Sequence, residues 1–245
     1  MRMLSAFWKL GRCALHALGG WLTIVLVFPR LTVAERNARV QAWARRMLEL
    51  VGIELRLHGT PPAQGPALLV ANHISWLDIL VMHAARHCRF VSKSELRHWP
   101  LIGTLATAGG TLYIERASRR DAMRVVHDMT AALQAGDILA VFPEGTTSDG
   151  VALLPFHANL VQAAVSADAP AQPVALRFID VATGQTSLAP CYIGDDSLLG
   201  SIWRTLTGPR IAAVVRYGEP QRANGRDRRQ WAADLHQAVA ALRQN

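Results

Sequence analysis

From residue 52 onward, seven short apolar runs alternate with stretches whose apolar residues recur at helical spacing. The runs fall at 53–58, 67–72, 89–92, 111–115, 138–142, 173–178 and 211–217; the helical stretches include 75–87, 118–136, 159–167 and 226–244. A run such as Leu68-Leu69-Val70 has no polar face, so as a strand it must be covered on both sides. Strands of that kind interleaved with helices predict an α/β fold, with a central mixed, mostly parallel sheet flanked by helices. Ser118 with Asp121 has capping-box spacing, and Gly136 is placed to stop that helix. No repeat and no low-complexity linker divides the chain. It reads as one domain over 52–245 behind an N-terminal element over 1–51.

Composition narrows the class. Of 245 residues, 51% are hydrophobic and only 18% charged, which excludes a disordered chain. The three cysteines, Cys13, Cys88 and Cys191, are scattered, against a disulfide framework or a cysteine zinc ribbon. The net charge of +8 and the pI of about 10.4 call for an anionic partner. That charge is unevenly spread: net +6 over residues 1–50, −3 over 51–200 and +5 over 201–245. The basic excess lies beside apolar helices at the ends, without a recognition motif, so nucleic acid is not expected as a partner. An anionic membrane surface is.

The N-terminal element supports that expectation. Residues 13–29 are uncharged and follow Arg2, Lys9 and Arg12, but no small-residue cleavage site comes after them. At 17 residues this stretch is at the lower limit for a spanning helix. A second helix follows over 32–51, with Thr32 and Glu35 at capping-box spacing. Either the first helix spans the bilayer, or a helical hairpin dips into one leaflet and holds headgroups with its arginines. A buried core hairpin is the plainer alternative.

Three of the strand runs end in polar clusters: Asn72-His73, Arg116 and Glu144-Gly145-Thr146-Thr147-Ser148. Ligands of α/β sheets bind beyond the carboxyl ends of the strands, so the three clusters predict one site. Ser75 is a candidate N-cap and Asp78 falls in the first helical turn. An acid there faces back toward His73, where it can hold one imidazole nitrogen and leave the other as a base. Arg116 offers a planar fork for a phosphate monoester. Gly145 permits close backbone approach, and the amides around it, Thr146 included, can cradle an anion. Glu144 suits acceptor hydroxyls or the shaping of its loop.

Together these clusters resemble the glycerolipid acyltransferases, especially the 1-acylglycerol-3-phosphate acyltransferases. Asn72-His73-x4-Asp78 is similar to the family's His-x4-Asp motif, Gly110 through Arg116 to its second block, Phe142 through Ser148 to its third and Gln172-Pro173-Val174-Ala175 to its fourth. Lys93 and Glu95, with Pro100 and Gly103, also fit. The resemblance covers about residues 65–220. It implies a membrane-associated enzyme that moves an acyl chain from acyl-CoA or acyl-ACP to the sn-2 hydroxyl of lysophosphatidic acid. It implies no cofactor and no metal, and a place on the cytoplasmic face of a bacterial inner membrane. His73 and Asp78 would be catalytic; Asn72, Gly110, Arg116, Glu144, Gly145 and Thr146 would bind substrate. No Gly-x-Ser-x-Gly elbow occurs, which favours direct transfer over an acyl-enzyme.

One departure bears on the acceptor. Where the family carries Phe-Lys/Arg-x-Gly, this chain reads Phe156-His157-Ala158-Asn159. The run from Thr147 to Phe156 also resembles acyltransferases that act on lyso-ornithine lipid, an acceptor without a phosphate. Two rivals stand outside this reading. His83 and His87, with Cys88 beside them, have zinc-ligand spacing, but no third ligand is evident and a solvated helix face is the simpler expectation. A catalytically inactive membrane scaffold is opposed by the intact His-Asp pair.

Overall fold

The structure is a computed structural model that describes residues 2–114 and 119–244. Two helices, α1 (Arg2–Leu26) and α2 (Val33–Val51), lead into β1 (Ile53–His58), β2 (Ala67–Ala71) and α3 (Leu77–Ala85). There follow β3 (Arg89–Lys93), α4 (Ile102–Ala108), β4 (Leu112–Ile114), α5 (Arg119–Gln134) and β5 (Ile138–Val141). The chain ends with α6 (Gln162–Ser166), β6 (Ala171–Asp180), α7 (Leu198–Thr207), β7 (Ile211–Tyr217) and α8 (Arg228–Gln244). The strands form one sheet in the order β1-β7-β6-β2-β5-β3-β4. Every pairing is parallel except β6 with β7. This is the mixed, mostly parallel sheet that the sequence predicts.

The central runs β2 and β5 are buried on both faces, for the reason their composition gives. Ala67, Leu69 and Ala71 of β2 pack with Leu48, Leu77 and Val81 from α2 and α3. Leu68 and Val70 point the other way, into a cluster with Met129, Ala163, Trp231 and Leu235 from α5, α6 and α8. Two helices lie outside the sequence expectation. α4 has only 7 residues and follows Leu101 at a φ of 61°. α7 had a legible start, since Ser197 caps it by accepting from the Gly200 amide (3.1 Å). The stretch expected as a helix over 159–167 is shorter, because residues 158–161 make turns before α6 begins.

The N-terminal hairpin shares the core of the sheet. The capping box of α2 is formed: Thr32 Oγ1 accepts from the Glu35 amide, and Glu35 accepts from the Thr32 amide (2.8 Å). Ala44, Leu48 and Val51 of α2 belong to the same cluster as the sheet residues Leu69 and Val174. Gln41 and Arg45 donate to the carbonyls that end α3, at Ala84 and Ala85. α1 is different. Ala6 is buried against the domain, while Leu4, Trp8 and Leu15 on its outer side are 78%, 69% and 71% exposed. Among the described residues no helix is long and apolar enough to cross a membrane.

α1 and α2 are joined by a reciprocal clamp. His16 Nε2 donates to the Trp43 carbonyl (3.1 Å), Trp43 Nε1 donates to the His16 carbonyl (3.2 Å), and the two rings stack at 5.2 Å. Gly20 allows it, since a Cβ there would lie 2.5 Å from Trp43 Nε1.

Candidate active site

His73 lies two residues beyond the end of β2, in the irregular stretch before α3, and is fixed from four sides. Its Nδ1 donates to Asp78 Oδ2 (2.7 Å). Its amide donates to Glu144 Oε1 (2.7 Å), and its carbonyl accepts from the Ser148 amide (2.9 Å). Its ring stacks on Phe142 at 4.0 Å and 9°. Asp78 is fully buried in the first turn of α3, and its Oδ2 also accepts from the amides of Ile74 (2.6 Å) and Ser75 (2.9 Å). One oxygen thus gathers three donors and sets both the orientation and the tautomer of the imidazole. Nε2 is left for a substrate proton. The helix opens at Leu77, later than a cap at Ser75 suggests; Ser75 Oγ accepts from the Leu77 amide (3.2 Å) and donates to the Pro190 carbonyl.

His73 lines a cavity of about 1260 Å³. The cavity is walled by α1, α2, α3 and α4 and by the loop after β5, with Gly20, Trp43, Leu80, Phe90 and Leu105 among its apolar lining. Lys93 and Glu95 reach it as well. A mostly apolar cavity with the His73 imidazole at its wall, held by Asp78, suits a long apolar substrate whose reacting group stops at His73.

The other expected site residues fall into three groups. Gly145 and Thr146 line the cavity. Gly145 has a φ of 73°, which glycine adopts at no steric cost, and a Cβ there would lie 3.1 Å from His157 Cδ2. His157, the residue standing where the family carries a cation, therefore packs over this loop. Asn72, Glu144 and Gly110 have polar groups engaged within the protein, and for Glu144 this is the loop-shaping role, one of the two expected of it. Asn72 is 1% exposed, and its amide donates to the Leu176 carbonyl (3.0 Å) and accepts from the Leu176 amide (2.8 Å), continuing the β2–β6 pairing beyond the strand. Its polar groups are spent on the sheet. Glu144 is 4% exposed, with Oε1 on the His73 amide and Oε2 on the Leu154 amide (3.0 Å). It shapes the loop, and burial pushes its carboxyl above the ordinary range. Gly110 packs on the Arg89 stem and accepts from Arg89 Nε (2.8 Å). Arg116 lies outside the described residues, as does Ser118.

His83 and His87 also depart from expectation. They are not on a solvated helix face: His83 is buried against Phe90 at 5.0 Å and against His87 at 5.2 Å, and His87, beyond the end of α3 at Ala85, is half-buried. Burial pulls their pKa values down to about 3 and about 4, so both are neutral. Among the described residues no group of three or more His, Cys, Asp or Glu is placed to hold a metal ion. Cys88 is fully buried beside them. Sequence reasoning missed the tethers that fix the loop after β5, because their partners lie far away in the chain.

Comparison with known proteins agrees with this geometry. Residues 53–177 match the family described as Acyltransferase. The chain is 37% identical over 223 residues to a lyso-ornithine lipid O-acyltransferase of Pseudomonas aeruginosa, covering 91% of this chain and 85% of that one. It is also 37% identical over 184 residues to a 1-acyl-sn-glycerol-3-phosphate acyltransferase of Neisseria gonorrhoeae, covering 74% and 71%. The crystal structure of the 1-acyl-sn-glycerophosphate acyltransferase of Thermotoga maritima has the same fold, with a TM-score of 0.74 at 18% identity over 100% of this chain and 97% of that one.

Proposed function

The chain belongs to this acyltransferase family, and we propose that it moves a fatty acyl chain from a thioester donor to the free sn-2 hydroxyl of lysophosphatidic acid. The observation that carries the reading is the His73–Asp78 pair, with Nδ1 held at 2.7 Å and Nε2 left at the wall of a large apolar cavity. The acceptor hydroxyl gives its proton to Nε2 as its oxygen attacks the thioester carbonyl. The carbonyl oxygen takes the negative charge, and the buried Asp78 carboxylate stabilises the imidazolium. Collapse re-forms the carbonyl, breaks the C–S bond and expels the thiolate, which takes the proton back from Nε2. Acyl-CoA or acyl-ACP supplies the thioester, and no cofactor enters the balance.

Arg116 and the amides around Gly145 are the groups for the acceptor phosphate. A second reading has lyso-ornithine lipid as acceptor. The observation favouring it is His157 over Gly145, where the family carries a permanent cation, together with the likeness to the Pseudomonas enzyme over most of the chain. A scaffold role without catalysis has no such support, since the dyad is assembled.

We place the enzyme on the cytoplasmic face of a bacterial inner membrane, anchored in one leaflet by the outer side of α1, with α2 packed on the sheet. The exposed apolar side of α1, flanked by Lys9 and Arg12, supports this. The deciding experiment crosses lysophosphatidic acid and lyso-ornithine lipid with acyl-CoA and acyl-ACP, using the purified chain on anionic vesicles. Turnover confined to lyso-ornithine lipid would replace the first acceptor with the second, and no turnover with either would end the enzymatic reading.

A further inference from the structure

We propose that Arg243 on α8 is a positioning residue for the catalytic base, acting through the loop after β5. The proposal rests on the reading of His73 as the base. α8 packs on the face of the sheet opposite α3, so Arg243 touches neither His73 nor the cavity. Its Nη2 donates to the carbonyl of Gly150 and to that of Val151 (3.1 Å). Its own carbonyl is held by Nη1 of Arg177 from β6 (3.1 Å), which fixes the end of the helix from which the guanidinium reaches.

The loop it grips has no regular structure between β5 and α6, so its shape depends on such tethers. The connection runs through named atoms. Gly150 sits against Ile74, close enough that a Cβ would lie 2.9 Å from Ile74 Cδ1. Further along, the Leu154 amide donates to Glu144 Oε2 (3.0 Å), and Glu144 Oε1 accepts from the His73 amide (2.7 Å). The Ser148 amide closes the circuit on the His73 carbonyl (2.9 Å). Charge runs the same way. Burial disfavours the guanidinium, as does Arg177, while the Glu144 and Asp149 carboxylates partly offset that cost from the side of the loop. Its Nε is buried without a partner among the described residues, so the grip depends on the two bonds from Nη2.

The test combines amide hydrogen exchange with steady-state kinetics on the full chain, as wild type, Arg243→Ala and Arg243→Lys. In Arg243→Ala, exchange at His73, Ser148 and Leu154 is expected to quicken about tenfold while the amides of β7 stay unchanged. kcat is expected to fall about tenfold with KM within about twofold, to recover in part with added guanidinium ion, and to lie between the two in Arg243→Lys. Unchanged exchange at those three amides in a folded Arg243→Ala overturns the proposal. If Arg243→Ala loosens every amide, Arg243→Lys decides: selective quickening at the three amides supports positioning, and uniform or absent quickening overturns it. A wild type without acyl transfer would remove the base from His73, yet the exchange data would still decide whether Arg243 clamps the loop.

Discussion

Replacing Asp78 by asparagine separates the charge of the dyad from its geometry. Asp78 Oδ2 carries three hydrogen bonds, from His73 Nδ1, the Ile74 amide and the Ser75 amide, while Oδ1 is buried with no partner among the described residues. An asparagine can therefore place its carbonyl oxygen on the three donors and its NH2 where Oδ1 stood. The loop, the imidazole orientation and the tautomer are kept; the negative charge is not. The lost term is the attraction between a carboxylate and the imidazolium formed during attack. At about 4 Å and an effective dielectric of about 20, that attraction is about 4 kcal/mol. It corresponds to about a thousandfold in kcat. The alanine variant differs because it strips two backbone amides of their acceptor, at about 1–3 kcal/mol each, and lowers Tm by something on the order of 10 °C. The assay is kcat on vesicles for both variants beside thermal unfolding. Asp78→Asn retaining more than about a tenth of wild-type kcat would refute the electrostatic role. The NH2 meets no partner among the described residues where Oδ1 stood and costs about 1–3 kcal/mol, so Asp78→Asn should itself lose a few degrees of Tm. A fall greater than that of Asp78→Ala would refute the assignment of all three bonds to one oxygen.

Four further variants test the remaining readings. His73→Ala is expected to lower kcat by about 10²–10⁴ with the circular dichroism spectrum unchanged, and retained turnover would remove the general base. Glu144→Gln offers one acceptor oxygen to two amides and should lower both kcat and Tm. Because burial raises the Glu144 carboxyl in the folded chain, its stabilising contribution is present below the unfolded value and lost as pH rises through the folded one. The Tm of wild type relative to Glu144→Gln should therefore climb on acidification through the carboxylate range; a trend of opposite sign in calorimetry would contradict the burial argument. Gly20→Val forces a Cβ into the Trp43 indole and should cost about 1–3 kcal/mol, a Tm drop of about 2–12 °C, whereas an unchanged Tm would mean that the α1–α2 clamp can open freely. Arg116→Ala should raise KM for a phosphate-bearing acceptor far more than for a phosphate-free one, and equal effects on both would take Arg116 out of the phosphate site.

How far the sequence reaches can be judged from particular residues. β1 and β7 were legible to the residue, because a short apolar run has few ways to be buried and its ends are marked by polar or turn residues. The α2 capping box was legible because both of its bonds lie within four residues. The dyad belongs to the same class. His73 and Asp78 are five apart across the start of one helix, so local geometry brings them together whatever the rest of the chain does. The partners of the remaining candidates were not legible, so for Glu144 the sequence left acceptor binding and loop shaping side by side. Asn72 meets Leu176 across 104 positions, and Glu144 meets the His73 amide across 71. Spacing says nothing about which strand will become a neighbour, so a polar residue spent on the scaffold looks the same as one kept for substrate. The burial of His83 and His87 was hidden for a related reason: the sequence shows a helix face, and only the packing of α4 and β3 decides whether that face meets water.

Local rules thus determined the alternation of elements, the cap of α2 and the catalytic pair, since each rests on contacts within a turn or two of chain. The tertiary structure decided which charges are braces, where the apolar cavity opens and how α8 reaches the loop that holds His73. Those contacts are made only when the sheet order brings distant segments side by side. Their formation is long-range and cooperative, and no window of sequence contains it.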